Sequence, residues 1–521
     1  MVYPNIKTLA GKAAETRQTL LLLGFILLKF ILQYSLISPE YDLQRDEYLH
    51  LDQASHLAWG YLSVPPFTSW LSWIIRQLGN SVFWVKFFPA LFGAMTIGVV
   101  WKTIQALNGN TFALVLGATC VLFSVLLRLN TLYQPNSLDV LCWTSLYFIM
   151  LKCIQTQRLN WFLAGGVVFA VGFLNKYNIG FLLAGFIPAL LLTRQRSLLF
   201  TRKALLACLV GALLVLPNLL WQYNNGFPVI HHMNQLAAYQ LVNVDRWAFL
   251  RAQFFFFAGS SFVIGMALYA LLVYPPFRPY RSFFWAFFGT LVVFLYFRAK
   301  DYYAIGLYPI YLAFGSVFIA NMVQTGRLRY LQPVCLLIPI GFFGFMYQFA
   351  FPNRSPAYIV AHSRMYQQLG LLRWEDGKDH PLPQDYADML GWQELAAKVD
   401  QLYAKLPEPD RTLVLCDNYG QAGAINYYTK QGIRAVSFNA DYVNWFDLDT
   451  YYTNLIRVKE AGEVGEELRE TSPFFRTALV GGNIQNPWAR EQGTTIFVFT
   501  GAKVDIRRRI NAEIDQVTQP H

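Results

Sequence analysis

The chain has 521 residues, of which 55% are hydrophobic, 17% aromatic and only 14% charged, with a mean hydropathy of +0.32. A soluble domain carries about 25% charged residues, so this composition excludes an ordinary soluble enzyme and indicates a polytopic α-helical membrane protein. The net charge of +11 could signal nucleic acid, but much of the excess lies in short loops between apolar runs, and no nucleic-acid partner is expected.

The first apolar run, 20–36, follows Lys7, Lys12 and Arg17 and lacks a small-x-small cleavage site, so a retained first span is expected. Immediately after it, Glu40 to Trp70 reads EYDLQRDEYLHLDQASHLAWGYLSVPPFTSW. Acids this close to a membrane are costly unless they face water and do something. From Asp46 on, Tyr48, Leu51, Ala54, Ala58 and Leu62 recur as one face of a helix, with His50, Gln53 and His56 on another, until Pro65-Pro66 stops it. A second stretch puts Phe67, Trp70, Leu71, Ile74 and Leu78 on one face and Ser69, Ser72 and Arg76 away from it. Two amphipathic helices along a membrane surface are expected. Asp46 and Glu47 diverge by about 100° on a helix. A division of labour therefore suits them better than a shared proton: one carboxylate takes a proton from a hydroxyl, and the other binds a metal, a sugar hydroxyl or Arg45. Glu47 also suits a helix N-terminus as a plain dipole acid, and Arg45 could hold the loop through Asp42 or Asp139.

Further apolar runs fall near 82–101, 111–128, 136–153, 160–174, 178–193, 204–221, 250–274, 282–297, 303–320 and 331–349. With the first, they predict about 11 transmembrane helices at roughly 20 residues per span. Asn175-Lys176-Tyr177-Asn178 interrupts the 160–193 region, leaving two short spans or a hairpin. With the N-terminus inside, the inner loops hold Lys102, Lys152, Arg158, Arg194, Arg196, Arg202, Lys203, Arg278, Arg281, Arg327 and Arg329. Asp42, Asp46, Glu47, Asp52, Asp139, Asp245 and Asp301 then share the outer face. Arg128, Lys176, Arg298 and Lys300 lie there too, against the positive-inside rule, as candidates for an anionic ligand. Asp139 could pair with Arg128 or Lys176, or touch the ligand.

Beyond residue 350 no span-length apolar run remains. Arg411 to Asp417 reads as a buried strand, Gln421 to Tyr428 as a helix and Thr495 to Thr500 as another strand. The expected organisation is a membrane domain over 1–350 and a small outer α/β domain over 351–521. Gly420 and Gly423 read as turn and close-packing glycines, since no P-loop or dinucleotide fingerprint surrounds them. The six cysteines are scattered and suggest neither a disulfide framework nor a thiolate metal site.

Six segments in order resemble the bacterial protein-mannosyltransferase-like and aminoarabinose-transferase-like members of the GT-C glycosyltransferase superfamily (families 39 and 83). They are RDEYLHLDQASHLAWGYLSVPPFTSWL from Arg45, NTLYQPNSLDVLCW (130–143), FLNKYNIGFLL (173–183), LPNLLWQYNNGFP (216–228), AKDYYAIGLYPIYLAFG (299–315) and NYGQAGAINYY (418–428). The resemblance covers essentially the whole chain. It implies a GT-C fold and an inverting hexosyl- or pentosyltransferase in a bacterial inner membrane, with site and C-terminal domain facing the periplasm. The implied donor is a polyprenyl-phosphate sugar, and the acceptor a hydroxyl of lipid A or another envelope glycan. Asp46 is the implied base with Glu47 as its helper. A glycosyl phosphate leaves as an anion, so Arg128, Lys176, Arg298 and Lys300, with Tyr302 and Tyr303, are the expected phosphate site. Some relatives use a His and a carboxylate for a divalent metal. Glu47 with His231 or His232 is the corresponding set here, though adjacent His rings on a helix point apart. Contact with membrane lipids and a monomeric state are expected. The rival readings are a flippase for a lipid-linked sugar, a protein O-mannosyltransferase and an envelope assembly protein.

Overall fold

A computed structural model describes residues 6–239 and 244–518 and divides the chain into two compact units. The first comprises Met1–Leu36, Val64–Phe67 and Phe83–Phe351; the second comprises Ile37–Ser63, Thr68–Val82 and Pro352–His521. The acidic first loop thus groups with the C-terminal region.

The first unit is helical. Among the described residues, five helices are long and apolar enough to span a membrane, or seven if each bent pair is one span: Glu15–Ser35, Val82–Ala106, Asn136–Thr156, Arg202–Asn224 and Gly326–Met346, with Arg246–Phe256 plus Ala258–Val273 bent by 62° and Asp301–Leu307 plus Pro309–Met322 bent by 47°. Thr111–Leu122, Leu159–Asn175 and Ile179–Leu191 are shorter apolar helices. The expected spans at 250–274 and 303–320 are therefore bent pairs of helices. In the second the chain changes from a 3₁₀ turn to an α-helix at Pro309, which suits the first turn of the new helix. The expected span at 111–128 ends at Leu122, because the Ser124 hydroxyl caps a separate short helix, Val125–Leu129. Leu159–Asn175 packs on Arg202–Asn224, and Ile179–Leu191 packs on Arg281–Tyr296.

Lipid offers no hydrophobic drive between helices, so close contact of small residues supplies the packing. A Cβ on Gly166 would lie 2.4 Å from the Ala207 carbonyl, one on Gly185 2.1 Å from Thr290 Oγ1, and one on Gly315 2.0 Å from the Val263 carbonyl. Each of these glycines sits where one helix meets a helix distant in sequence. Gly315→Val is expected to abolish a monodisperse folded peak in detergent gel filtration, because backbone cannot yield to the added methyls. Gly98→Ala, with nothing within 4 Å of the new Cβ, is expected to elute as wild type.

The second unit contains a five-stranded sheet in the order β2-β1-β3-β5-β4, with β1 Thr412–Cys416, β2 Ala435–Ser437, β3 Asn454–Lys459, β4 Phe475–Asn483 and β5 Thr495–Ala502. β2, β1 and β3 run parallel, with Leu415 opposite Val436 and Arg457, while β5 is antiparallel to both β3 and β4. Leu413, Phe497, Phe499, Ile506 and Ile510 fill one core of this unit. Helix Tyr419–Tyr428 connects β1 to β2.

The first-loop helices differ from the pattern read in the sequence. The first spans Arg45–Asp52, followed by a 3₁₀ turn at Gln53–Ser55, and does not reach Leu62. It buries both Tyr48 and Leu51 and the supposedly polar His50 and Gln53. Gln53 is accommodated because its Nε2 donates to Asp441 Oδ2 at 3.0 Å. The second helix, Phe67–Gln77, buries Thr68, Ser69 and Ser72 together with Leu71 and Ile75 and leaves Trp73 and Ile74 exposed, with Leu78 exposed just beyond its end. Its small face is inside because the Ser72 hydroxyl reaches the His50 carbonyl at 2.6 Å. An apolar face turned outward is what a helix lying at a lipid interface requires.

Candidate active site

In the second unit, the acidic pair opens helix Arg45–Asp52. Gln44 is its extended N-cap: Gln44 Oε1 accepts from the Asp46 N–H at 2.9 Å, and Glu47 Oε2 accepts from the Gln44 N–H at 2.7 Å. This reciprocal capping box satisfies donors that a helix start leaves open. It also separates the two acids. Glu47 is wholly buried and holds the backbone, whereas Asp46 is only half-buried.

Asp46 is held from the other side by the α/β region. The Tyr419 hydroxyl donates to Asp46 Oδ1 at 2.6 Å. The Arg45 guanidinium lies over the same Tyr419 ring, 4.7 Å from its centroid. Its buried Nε has no hydrogen-bond partner. Arg45 thus stacks on an aromatic ring instead of holding the loop through an ion pair with Asp42. Asp42 instead accepts from Gln393 Nε2 at 2.6 Å and from the Trp392 N–H at 3.1 Å, anchoring the loop to helix Trp392–Tyr403. Asp52 accepts from Asn426 Nδ2 at 2.6 Å, and burial raises it to about 6. Asp388 lies in the same neighbourhood. Burial pushes it up to about 7 against the pull of Arg490, which bonds it at 3.3 Å, and of Arg45.

The two helices that carry these groups meet through a glycine. A Cβ on Gly423 would lie 2.7 Å from both Tyr48 Cβ and the Tyr442 hydroxyl, and one on Gly420 3.3 Å from Arg45 Cβ. Both positions therefore act in close packing. Asn418 caps this helix through the Gln421 N–H at 3.0 Å, fixing the turn that presents Tyr419.

In the first unit, the break after Leu159–Asn175 assembles a second cluster. Lys176 Nζ donates to Asn136 Oδ1 at 2.7 Å and lies 4.1 Å from the Tyr303 ring centroid and 5.2 Å from that of Tyr302. Asn178 Nδ2 bonds Asp139 Oδ2 at 2.8 Å and the Tyr303 carbonyl at 3.0 Å. The other Asp139 oxygen accepts from Trp143 Nε1 at 3.1 Å. Asp139 is thus buried among neutral donors, and its influence on Lys176 is through space. Lys300 also acts on Lys176 electrostatically. Lys176, Lys300, Tyr302, Tyr303 and Asp139 are therefore brought together. Arg128 is half-buried with Nη1 on Thr131 Oγ1 at 2.8 Å, and Arg298 is exposed at a positive φ of 50°.

Among the described residues, no group of three or more His, Cys, Asp or Glu side chains could hold a metal ion. Glu47, His231 and His232 belong to no such group. Burial and then Lys300 lower the His232 imidazole from its ordinary range.

Sequence reasoning passed over Tyr419, Asn136 and Asn178, which nothing in their local sequence marks out. It also passed over Lys29 and Lys86, which are 2% and 6% exposed inside apolar helices. A lone lysine in a membrane span is itself a functional signal, and that signal was readable.

Comparison with known proteins agrees with this architecture. The family model described as dolichyl-phosphate-mannose-protein mannosyltransferase matches residues 63–221. A curated relative, the lipid A galacturonosyltransferase RgtD of Rhizobium johnstonii, is 24% identical over 271 residues, 50% of this chain and 54% of that protein. The chain thus matches about half the length of this relative. The crystal structure of ArnT from Cupriavidus metallidurans bound to undecaprenyl phosphate superposes with a TM-score of 0.61 at 13% identity, covering 93% of this chain and 98% of that one. The apo form gives 0.59 at 14% identity, covering 96% and 99%. The chain has the fold of these structures.

Proposed function

We infer that this chain is a GT-C glycosyltransferase of the ArnT type and moves a sugar from a polyprenyl-phosphate donor to a hydroxyl of an envelope acceptor such as lipid A; the partial family match, the curated relative and the fold support the reading. The observation that carries the reading is Asp46: a half-buried carboxylate at a capped helix start, with one oxygen fixed by Tyr419. The fold is that of ArnT crystallised bound to undecaprenyl phosphate, and the matched relative is a lipid A galacturonosyltransferase.

In this reading the acceptor hydroxyl gives its proton to Asp46 as its oxygen bonds the anomeric carbon. The bond from that carbon to the phosphate oxygen breaks, and polyprenyl phosphate leaves with the electron pair. One displacement inverts the anomeric centre and needs no protein nucleophile. Lys176 and Lys300 stabilise the departing phosphate, with Tyr302 and Tyr303 as hydroxyl donors and Arg128 and Arg298 as further cations. Glu47 serves by fixing the turn that carries Asp46. The reaction takes place on the periplasmic side of the inner membrane.

The experiment is transfer by purified protein in lipid nanodiscs, with polyprenyl-phosphate pentose, hexose and uronic acid donors and lipid A as acceptor, read by mass spectrometry. A sugar-modified lipid A is expected. Transfer to a peptide hydroxyl alone would favour a protein O-mannosyltransferase, the reading that the matched family description supports. Donor translocation without transfer would overturn both.

A further inference from the structure

The α/β region of the second unit has a particular place for ligands. Its strand order β2-β1-β3 means that the chain leaves β1 for one side and returns to its other side for β3. Open α/β sheets bind ligands at the carboxyl ends of strands where the order reverses in this way. The carboxyl end of β1 leads into Asp417, Asn418 and helix Tyr419–Tyr428. The groups that could receive a ligand there are already engaged. Asp417 bonds Arg457 at 2.5 Å and Lys459 at 3.2 Å, and Glu491 is held by Asn418 and Gln421 at 3.1 and 2.7 Å. What meets the start of the helix is the first loop itself. Tyr419 points its hydroxyl to Asp46, and its ring carries Arg45.

We propose that Tyr419 is a positioning residue for transfer, through which the C-terminal α/β region orients the Asp46 carboxylate; this rests on the reading of Asp46 as the base. A charge-assisted hydrogen bond from a buried phenol restricts rotation of the Asp46 carboxylate about its side-chain torsions. It occupies Oδ1 and so fixes the plane in which Asp46 meets the acceptor. Near-attack geometry of this kind enters the rate of the chemical step.

Tyr419→Phe keeps the ring under Arg45 and deletes only the hydroxyl. Its kcat is expected to fall about ten-fold, the value of one hydrogen bond to a charged group, with KM for donor and acceptor unchanged. Tyr428→Phe is the control. Its hydroxyl lies on the same helix and contacts the Tyr48 hydroxyl at 3.3 Å, so deleting it loosens the same helix pair without touching Asp46, and wild-type kcat is expected. Unchanged kcat in Tyr419→Phe, a change confined to KM, or an equal loss in Tyr428→Phe would overturn the assignment. Wild-type turnover in Asp46→Asn would instead overturn the base reading. The two failures are therefore separable.

Discussion

Asp46→Asn is expected to lower the turnover of sugar transfer by about 10²–10⁴-fold, the range a positioned general base contributes. The substitution is nearly isosteric. An asparagine Oδ1 can still accept the Tyr419 hydroxyl, and its backbone N–H can still donate to Gln44 Oε1 as Asp46 does at 2.9 Å. The capping box therefore survives, and the unfolding midpoint should move little. The amide has no basic oxygen, so the acceptor hydroxyl keeps its proton. The check is single-turnover transfer by a variant that elutes and unfolds as wild type. Equal rates for Asp46→Asn and wild type would leave the chemistry without its base. Asp52 is a useful contrast on the same helix. Its carboxylate already accepts from Asn426 at 2.6 Å and is raised by burial to about 6, so it has the surroundings of a structural acid.

How much of this was legible in the sequence depended on what set each feature. The acid pair was legible because charge beside an apolar run is rare. So were β1, the helix ending at Tyr428 and β5, where apolar runs are bounded by turn residues. The partition between Asp46 and Glu47 was not, because it depends on Gln44, whose amide closes the capping box. Of the apolar stripe read over 67–78, Ile74 and Leu78 do face outward, but Leu71 is buried and the exposed Trp73 lay outside the stripe. The burial of the Ser69 and Ser72 face was not legible, since periodicity locates a face without saying whether lipid or protein covers it. Tyr419 was out of reach for a plainer reason. It lies 373 residues from Asp46 in sequence, and a tyrosine opening a helix carries no mark of its partner. The bent helices were hidden because hydropathy counts apolar residues and is blind to a change of direction at Phe257 or Pro309.

Lys176→Met should lower kcat/KM for the polyprenyl-phosphate donor by about 10–100-fold, the value of losing one or two charge-assisted hydrogen bonds to phosphate. An ammonium has three donors, and the Lys176 side chain makes one protein hydrogen bond, to Asn136 at 2.7 Å. Both oxygens of Asp139, the acid nearest in its surroundings, already accept from Asn178 and Trp143. Among the described residues, no carboxylate takes up the Lys176 charge directly. The rings of Tyr302 and Tyr303 flank the ammonium at 5.2 and 4.1 Å. Such faces stabilise a cation without using up its N–H groups, leaving donors for a phosphate. Methionine keeps the chain length and the contact with the rings while removing the charge. The competing explanation is that Lys176 exists to balance buried Asp139. It makes a different prediction: Lys176→Met would unfold at lower temperature, and adding Asp139→Asn would restore both stability and donor use. If Lys176 binds the donor phosphate, Asp139→Asn leaves the donor defect of Lys176→Met in place, because neutralising an acid cannot return the missing cation. Titrating donor against turnover in the single and double variants separates the two. Recovery of donor use in the double variant would remove Lys176 from the phosphate site.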